Sequence, residues 1–432
     1  MKKQHYPSIN ETLYTEVLPN GLEVMLLPKS DFHKTYGLFT TNYGSIDNEF
    51  VPIGEEDFIR VPDGIAHFLE HKLFEKETED VFQRFGKQGA SSNAFTSFTR
   101  TSYLFSSTDY VYKNIETLID FVQDPYFTEE SVNKEKGIIA QEIQMYQDDP
   151  NWRLYFGILN NMYPNHPLHI DIAGTVKSIE EITAEDLYTC YHTFYHPSNM
   201  NLFVVGKMDP EELMAFIRNN QAEKDFVKTE AIKRHFPIET AKDIIKEDSI
   251  QLSINRPKAI VGLKGLDTVP EDGYERLKYQ TSIQLLLQLL FGMTSTNYLT
   301  MYNSGLIDDS FSFEFSLDRS FHFADFSSDT NEPERFANQI INDLLKAGSS
   351  PELNQKNLAL AKKKMIGKHL QSLDSLEYIA NQFSSSKFGN TTLFDLSDVI
   401  NSIELDYLKY VQETFIRPEA LSRFFIYPDE NQ

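Results

Sequence analysis

Residues 178–206, SIEEITAEDLYTCYHTFYHPSNMNLFVVG, lie over residues 402–428, SIELDYLKYVQETFIRPEALSRFFIYP. Phe194–Pro197 of the first stretch corresponds to Phe415–Pro418 of the second, and each stretch ends in an apolar strand. The match extends upstream. In the first half an Asn20-Gly21 hairpin, for which that dipeptide favours a tight primed turn, leads to a strand at 35–46. A helix at 64–75, a Thr/Ser/aromatic strand pair at 91–109 and helices at 111–124 and 129–147 follow, before the buried strand at 199–206. In the second half a strand at 259–266, an apolar helix at 274–292, an alternating aromatic strand pair at 310–329 and helices at 333–347 and 352–372 come in the same order. A self-match of roughly 200 residues is a duplicated domain and not a solenoid. Strands, then helices, then a returning strand predict an α+β fold of two similar layered domains.

The expected boundaries are residues 1–220 for the first domain, 221–248 for a polar, charged linker, and 249–432 for the second domain. Length agrees, since 432 residues exceed one ordinary domain. The 33 Phe and 22 Tyr are enough aromatic bulk for two cores.

Charge narrows the function. A net charge of −24 argues against nucleic acid and against docking on an anionic membrane, both of which want clustered Lys and Arg. No apolar run is long enough to span a bilayer. The lone cysteine, Cys190, allows no disulfide within the chain, and the N-terminus MKKQHYPSINETLYTEV has no apolar leader core; the expected compartment is the cytoplasm.

Within the helix at 64–75, His67 and His71 stand four apart, with Glu70 just before the second. Positions i and i+4 share a helix face, so both imidazoles can address one ion, and Glu70 can reach a water on it. Hydrolytic zinc wants three protein ligands and an open position. The motif alone is not decisive, since a His-x-x-acid-His match arises by chance in about four chains of a hundred of this composition. A second acidic helix supplies candidates for the third ligand: Glu135 and Glu142 lie seven apart, two turns along one face, beside apolar Ile138, Ile139 and Ile143. A carboxylate so close to apolar side chains is costly unless paired or metal-bound. The duplication provides a control. The counterpart of the His helix is SIQLLLQLLFG (282–292), with neither His nor acid, and the counterpart of the acidic helix is the lysine-rich LALAKKKMIGKHL (358–370). Both features are present in one copy and absent together from the other, as expected of one site.

The order His-x-x-Glu-His marks the inverzincins. Together GIAHFLEHKLFE (64–75), SSNAFTSFTRTSYLFS (91–106), EKGIIAQEI (135–143) and FYHPSNMNLFVVG (194–206) resemble the pitrilysin/insulinase family of zinc peptidases, most nearly its short bacterial two-domain members. The resemblance spans essentially the whole chain. It implies a LuxS/pitrilysin-like fold forming half of a clamshell. It also implies a zinc-dependent endopeptidase or oligopeptidase that hydrolyses short or unfolded peptides in an enclosed chamber. One zinc per chain would be held by His67, His71 and Glu142, with Glu135 holding a ligating histidine and Glu70 as general base. Ser92, Asn93, Ala94 and Phe95 match the edge strand onto which a substrate peptide adds as a further strand.

One departure stands out. Active members carry an Arg and a Tyr seven apart around a Gly-Leu turn in the second half, where this chain has Met301 and Asp308 around Gly305-Leu306. Tyr302 is near but out of register, and Arg319 is a further local donor. The family precedent implies assembly as a homodimer, or as a heterodimer with a related subunit that supplies the Arg/Tyr pair. The alternative is a non-catalytic or weakly active peptide-binding subunit, against which the intact His67, Glu70, His71 and Glu142 set speaks.

Overall fold

The computed structural model describes residues 1–227, 231–385 and 391–429. They form two compact units, neither continuous in sequence.

The first unit is built on a seven-stranded sheet. Its strands are β1 (Lys2–Tyr6), β2 (Glu11–Val17), β3 (Glu23–Pro28), β4 (Thr35–Thr41), β7 (Ser91–Thr96), β8 (Thr101–Ser107) and β9 (Met200–Gly206), with the small pair β5 (Glu49–Phe50) and β6 (Ile59–Arg60) standing apart. The spatial order is β1-β2-β3-β9-β4-β8-β7. The second unit holds β10 (Glu247–Leu252), β11 (Lys258–Lys264), β12 (Ser312–Leu317), β13 (His322–Asp329) and β14 (Leu421–Pro428) in the order β10-β14-β11-β13-β12. Overlaying β3-β9-β4-β8-β7 on β10-β14-β11-β13-β12 reproduces every pairing sense. The first pair is parallel in both sheets and the rest are antiparallel. The duplication and the α+β layering are thus present in the fold, and β1-β2 is an addition to the first copy.

The hairpin between β2 and β3 differs from expectation. Leu18 and Leu22 close a three-residue loop, with the Gly21 N–H donating to the Leu18 carbonyl at 2.8 Å. Gly21 has φ +90°, while Asn20 keeps negative φ. Pro19 explains the choice: its fixed φ suits the second position of a type I turn, which then needs a left-handed glycine after it, and not the primed turn that Asn-Gly alone would favour.

Each sheet is covered on two faces. In β9, Leu202 and Val204 point into the core that also holds Phe68, Leu69 and Leu73. The alternate Phe203 stacks at 4.7 Å on Phe383, on the opposite face. Phe383 belongs to the helix Leu376–Ser385, which comes from the second half of the chain yet packs on β4 and β9. The reverse donation occurs in the second unit. After α1 (Ile65–Leu73), α2 (Val81–Lys87), α3 (Val111–Val122) and α4 (Glu129–Asp148) comes α5 (Pro150–Met162), which packs on β11 and β14. The fit of α5 is tight. A Cβ on Gly157 would meet the Phe424 ring at 2.3 Å, and one on Gly262 would meet Met162 and Ile158 within 2.7 Å.

The charged stretch between the halves is held at both ends. Lys233 and His235 exchange backbone hydrogen bonds with Val51 and Glu49, and Arg234 pairs with the buried Asp47 at 2.9 Å in the first unit. In the second, buried Glu239 pairs with buried Lys264 at 2.6 Å, and β10 begins at Glu247. Among the described residues, no helix is long and apolar enough to cross a membrane.

Candidate metal centre

Helix α1 starts at a point only glycine can occupy. Gly64, its N-cap, has φ +89°, and a Cβ there would lie 2.3 Å from the Ala173 carbonyl oxygen. Ser178 ties the same turn down by donating to the Asp63 carbonyl at 2.8 Å. From this anchored start the 3.6-residue period buries Phe68, Leu69 and Leu73 and brings His67, Glu70 and His71 to the side near β7 and α4. Helix α4 is fixed by buried Val132, Ile139 and Ile143. Ile138, grouped with the apolar stripe in the sequence, is instead 50% exposed.

The structure brings His67, His71 and Glu142 together, with one potential ligand atom from each within 4.8 Å of the others. His67 Nε2 is 3.6 Å from one Glu142 oxygen, and His71 Nε2 is 3.5 Å from the other. Those separations are long for hydrogen bonds. They are close to the roughly 3.3 Å that separates two ligand atoms on a tetrahedral zinc with bonds of about 2.0–2.1 Å. Two imidazole nitrogens and a carboxylate oxygen are ligand types that zinc takes, and one such atom from each residue lies within 4.8 Å of the others, so the donor set fits zinc. The site is sheltered but not sealed, with the Glu142 and His71 side chains about a quarter exposed. That suits an ion that keeps an open position for water.

Glu135 lies 3.0 Å from His71 Nδ1, the nitrogen away from Glu142, and can accept its N–H. Such a bond fixes the tautomer that leaves Nε2 free for metal. His67 Nδ1 is buried with no such partner among the described residues. Burial, reinforced by His71, pushes the His67 pKa down to about 3, which keeps that imidazole neutral with a lone pair to offer. At His71 burial acts in the same direction, but the Glu135 hydrogen bond and the charges of Glu70, Glu135 and Glu142 outweigh it, and its pKa rises. Glu70 is pushed up to about 7 by burial; a Thr96 hydrogen bond and the charge of His71 oppose the rise, and Glu142 adds to it.

Strand β7 ends the sheet, so its outer side pairs with no strand among the described residues. Of the four expected substrate-contacting residues, alternation splits the set. Ala94, and with it Ser92, shares the face of Thr96, which touches Glu70, and Ala94 packs on the core around α1. Phe95, and with it Asn93, faces the other way. The Phe95 ring lies under the Arg100 guanidinium at 5.4 Å, and Arg100 donates to the Asn381 carbonyl. The Asn93 side chain turns back to accept the Ala94 N–H at 2.9 Å. Thr96, absent from the sequence-based set, is the residue that meets the acid directly. Its signal was the alternation itself, which places 92, 94 and 96 in one row.

In the second unit, Met301 is buried in the helix Thr296–Asn303. Asp308 pairs with Arg256. Its carboxyl is held down to about 2 by Ser310 and then Arg256. Neither is a free donor. Half-exposed Tyr302 stacks on Tyr298 at 5.7 Å, and Arg319 sits in the turn between β12 and β13.

Comparison with known proteins matches residues 61–176 to the family described as insulinase (peptidase family M16), and residues 181–365 to the M16 inactive domain. A Bacillus subtilis protein named as the uncharacterised zinc protease YmfH is 52% identical over 422 residues, covering 98% of each chain. Among solved structures, an M16-like peptidase from Alicyclobacillus acidocaldarius superposes with a TM-score of 0.92 at 36% identity, covering 97% of this chain and 99% of that one. The Escherichia coli periplasmic protease PqqL superposes at 0.73 with 20% identity, covering all of this chain but 48% of that one.

Proposed function

Because the chain belongs to the M16 peptidase family, we propose that it is a zinc-dependent peptidase acting on short or unfolded peptides, with His67, His71 and Glu142 as metal ligands. The carrying observation is the convergence of two imidazole Nε2 atoms on one carboxylate, at 3.6 and 3.5 Å from its two oxygens, with Glu70 one residue from His71 on the same helix. Bound zinc would lower the pKa of its water towards about 7 and polarise the scissile carbonyl. Glu135 orients His71. Glu70 takes the proton from the attacking water and returns it to the leaving amine. The substrate backbone adds to the open edge of β7 at Ser92–Phe95, which requires the Asn93 side chain to release the Ala94 N–H.

Oxyanion donors are the part this reading draws from elsewhere. Met301 and Asp308 cannot serve, and a missing donor is typically worth about 3–4 kcal/mol of transition-state stabilisation. PqqL, about half of whose chain this protein covers, supports an assembly in which a second, related half completes the site, either a second copy of this chain or a related subunit. The buried lone Cys190 suits a reducing, cytoplasmic setting. The same absence of donors favours the second reading, a weakly active peptide-binding subunit.

A digest of a peptide library by the zinc-loaded protein, alone and with a co-purified related subunit, separates the two. Glu70→Gln is the blank, expected to keep its zinc and lose about 10²-fold or more in turnover. Full turnover by zinc-replete Glu70→Gln, or no cleavage in any combination, would overturn the peptidase reading.

A further inference from the structure

Thr96 is the last residue of β7, and its cross-strand partner is Thr101 at the start of β8. The Thr96 hydroxyl donates to Glu70 Oε2 at 2.6 Å. Its other neighbour is the Thr101 hydroxyl oxygen at 3.3 Å. Thr101 is fully buried and donates its own hydrogen to the Tyr43 carbonyl at 2.9 Å. Deeper still, the Tyr103 and Tyr195 hydroxyls bond to each other at 2.8 Å in the buried core. The wall behind Glu70 is therefore built of neutral hydroxyls with fixed partners.

A hydroxyl has one hydrogen to give and lone pairs to receive with, whereas an ionised carboxylate only accepts. Thr96 has an acceptor on each side. While Glu70 is ionised, the Thr96 hydrogen points to Oε2. A proton taken from water lands on Oε1, the oxygen that Thr96 does not hold, and Oε2 remains an acceptor, so the Thr96 hydrogen stays on it. The Thr101 hydrogen stays on the Tyr43 carbonyl throughout, so both threonine hydroxyls keep their partners in either state. An unpaired buried group would cost about 1–3 kcal/mol.

Resting on the peptidase reading above, we infer that Thr96 is a positioning residue for the general base. It holds the Glu70 carboxyl beside the metal ligands both before and after the proton moves, by donating to Oε2 throughout. Oε1, which Thr96 does not hold, is left for the attacking water.

The test uses zinc-loaded Thr96→Val, which keeps the shape and loses the hydroxyl, with Thr96→Ala as a second deletion and Thr96→Ser as the rescue. Both deletions are expected to bind zinc as the wild type does and to lose about 10- to 100-fold in kcat, with KM within about twofold. Thr96→Ser is expected to recover to within about threefold. Wild-type kcat in Thr96→Val or Thr96→Ala, loss of zinc, a rise in KM that accounts for the defect, or a serine variant as damaged as valine would each overturn the inference. A crystal structure of the zinc-loaded deletion variant decides the matter without an activity assay: the Glu70 carboxyl is expected to leave its wild-type position. A carboxyl that stays in place overturns the inference. If the wild type cleaves no peptide while the carboxyl moves in the variant, the peptidase reading fails and the positioning role stands.

Discussion

The two sheets have one strand order and carry different things at corresponding places. Beside β7 in the first unit, α1 buries His67 and Glu70 next to a carboxylate from α4. In the second unit, the matching stretch at 282–292 fills its core with Leu285, Leu286, Leu289 and Leu290, and the helix Gln355–Ser372 carries Lys362, Lys363 and Lys364 in place of the acids. Burying a carboxyl and an imidazole costs several kcal/mol unless they are paired or bound to metal, and leucine at such sites stabilises outright. The second copy shows that the architecture stands without the polar set. The first copy therefore keeps it at the expense of stability, which is what a reactive site looks like.

The comparison can be broken most sharply at the ligands. His71→Ala should lose zinc and bring peptide cleavage down to that of the blank, while leaving the second unit folded; cleavage at the wild-type rate would end the account. A smaller effect is expected at the hydrogen bond that orients His71. Glu135→Gln should weaken zinc binding about 10- to 100-fold, measured by competition with a chelator. Unchanged affinity would mean that His71 is held by packing alone.

The smallest effect concerns the second unit, where no chemistry is at stake. Asp325 lies across the strand pair from Glu314. Burial, and then the charge of Glu314, pushes its carboxyl up from 3.8 to about 7. A raised acid pKa means that the folded state holds this proton more tightly than the unfolded chain does. The stability it contributes is present below about pH 4 and is lost as pH rises through about 7. Asp325→Asn should therefore gain on the wild type over that window, by about 1–3 kcal/mol near neutrality in urea unfolding, with zinc binding unchanged. A gain that is constant with pH would remove titration of Asp325 as its cause.

Much of this was legible in the sequence because it is periodic or punctuated. The helix at 64–75, the strand pairs at 91–109 and 310–329 and the terminal match of 178–206 with 402–428 all reappear as elements, within a few residues. The exchange of α5 and Leu376–Ser385 between sheets was not legible. An apolar stripe says that a helix face is buried but not against which sheet, and Gly157 against Phe424 is a contact no local pattern encodes. β1 was hidden by its polar Lys2-Lys3-Gln4-His5 run, as edge strands often are. At the site, the spacing of His67, His71, Glu135 and Glu142 was readable because helix geometry fixes it. The contact of Thr96 with Glu70 depends on how β7 and α1 pack, a tertiary fact.

The claim that one copy holds a single hydrolytic zinc is tested most directly by adding zinc stepwise to the metal-stripped protein, together with any partner found, and following bound zinc and peptide cleavage in the same samples. The account predicts that both rise together and saturate at one zinc per chain, and that neither rises in His71→Ala. Cleavage that precedes zinc, or zinc that binds His71→Ala as it binds the wild type, would contradict it.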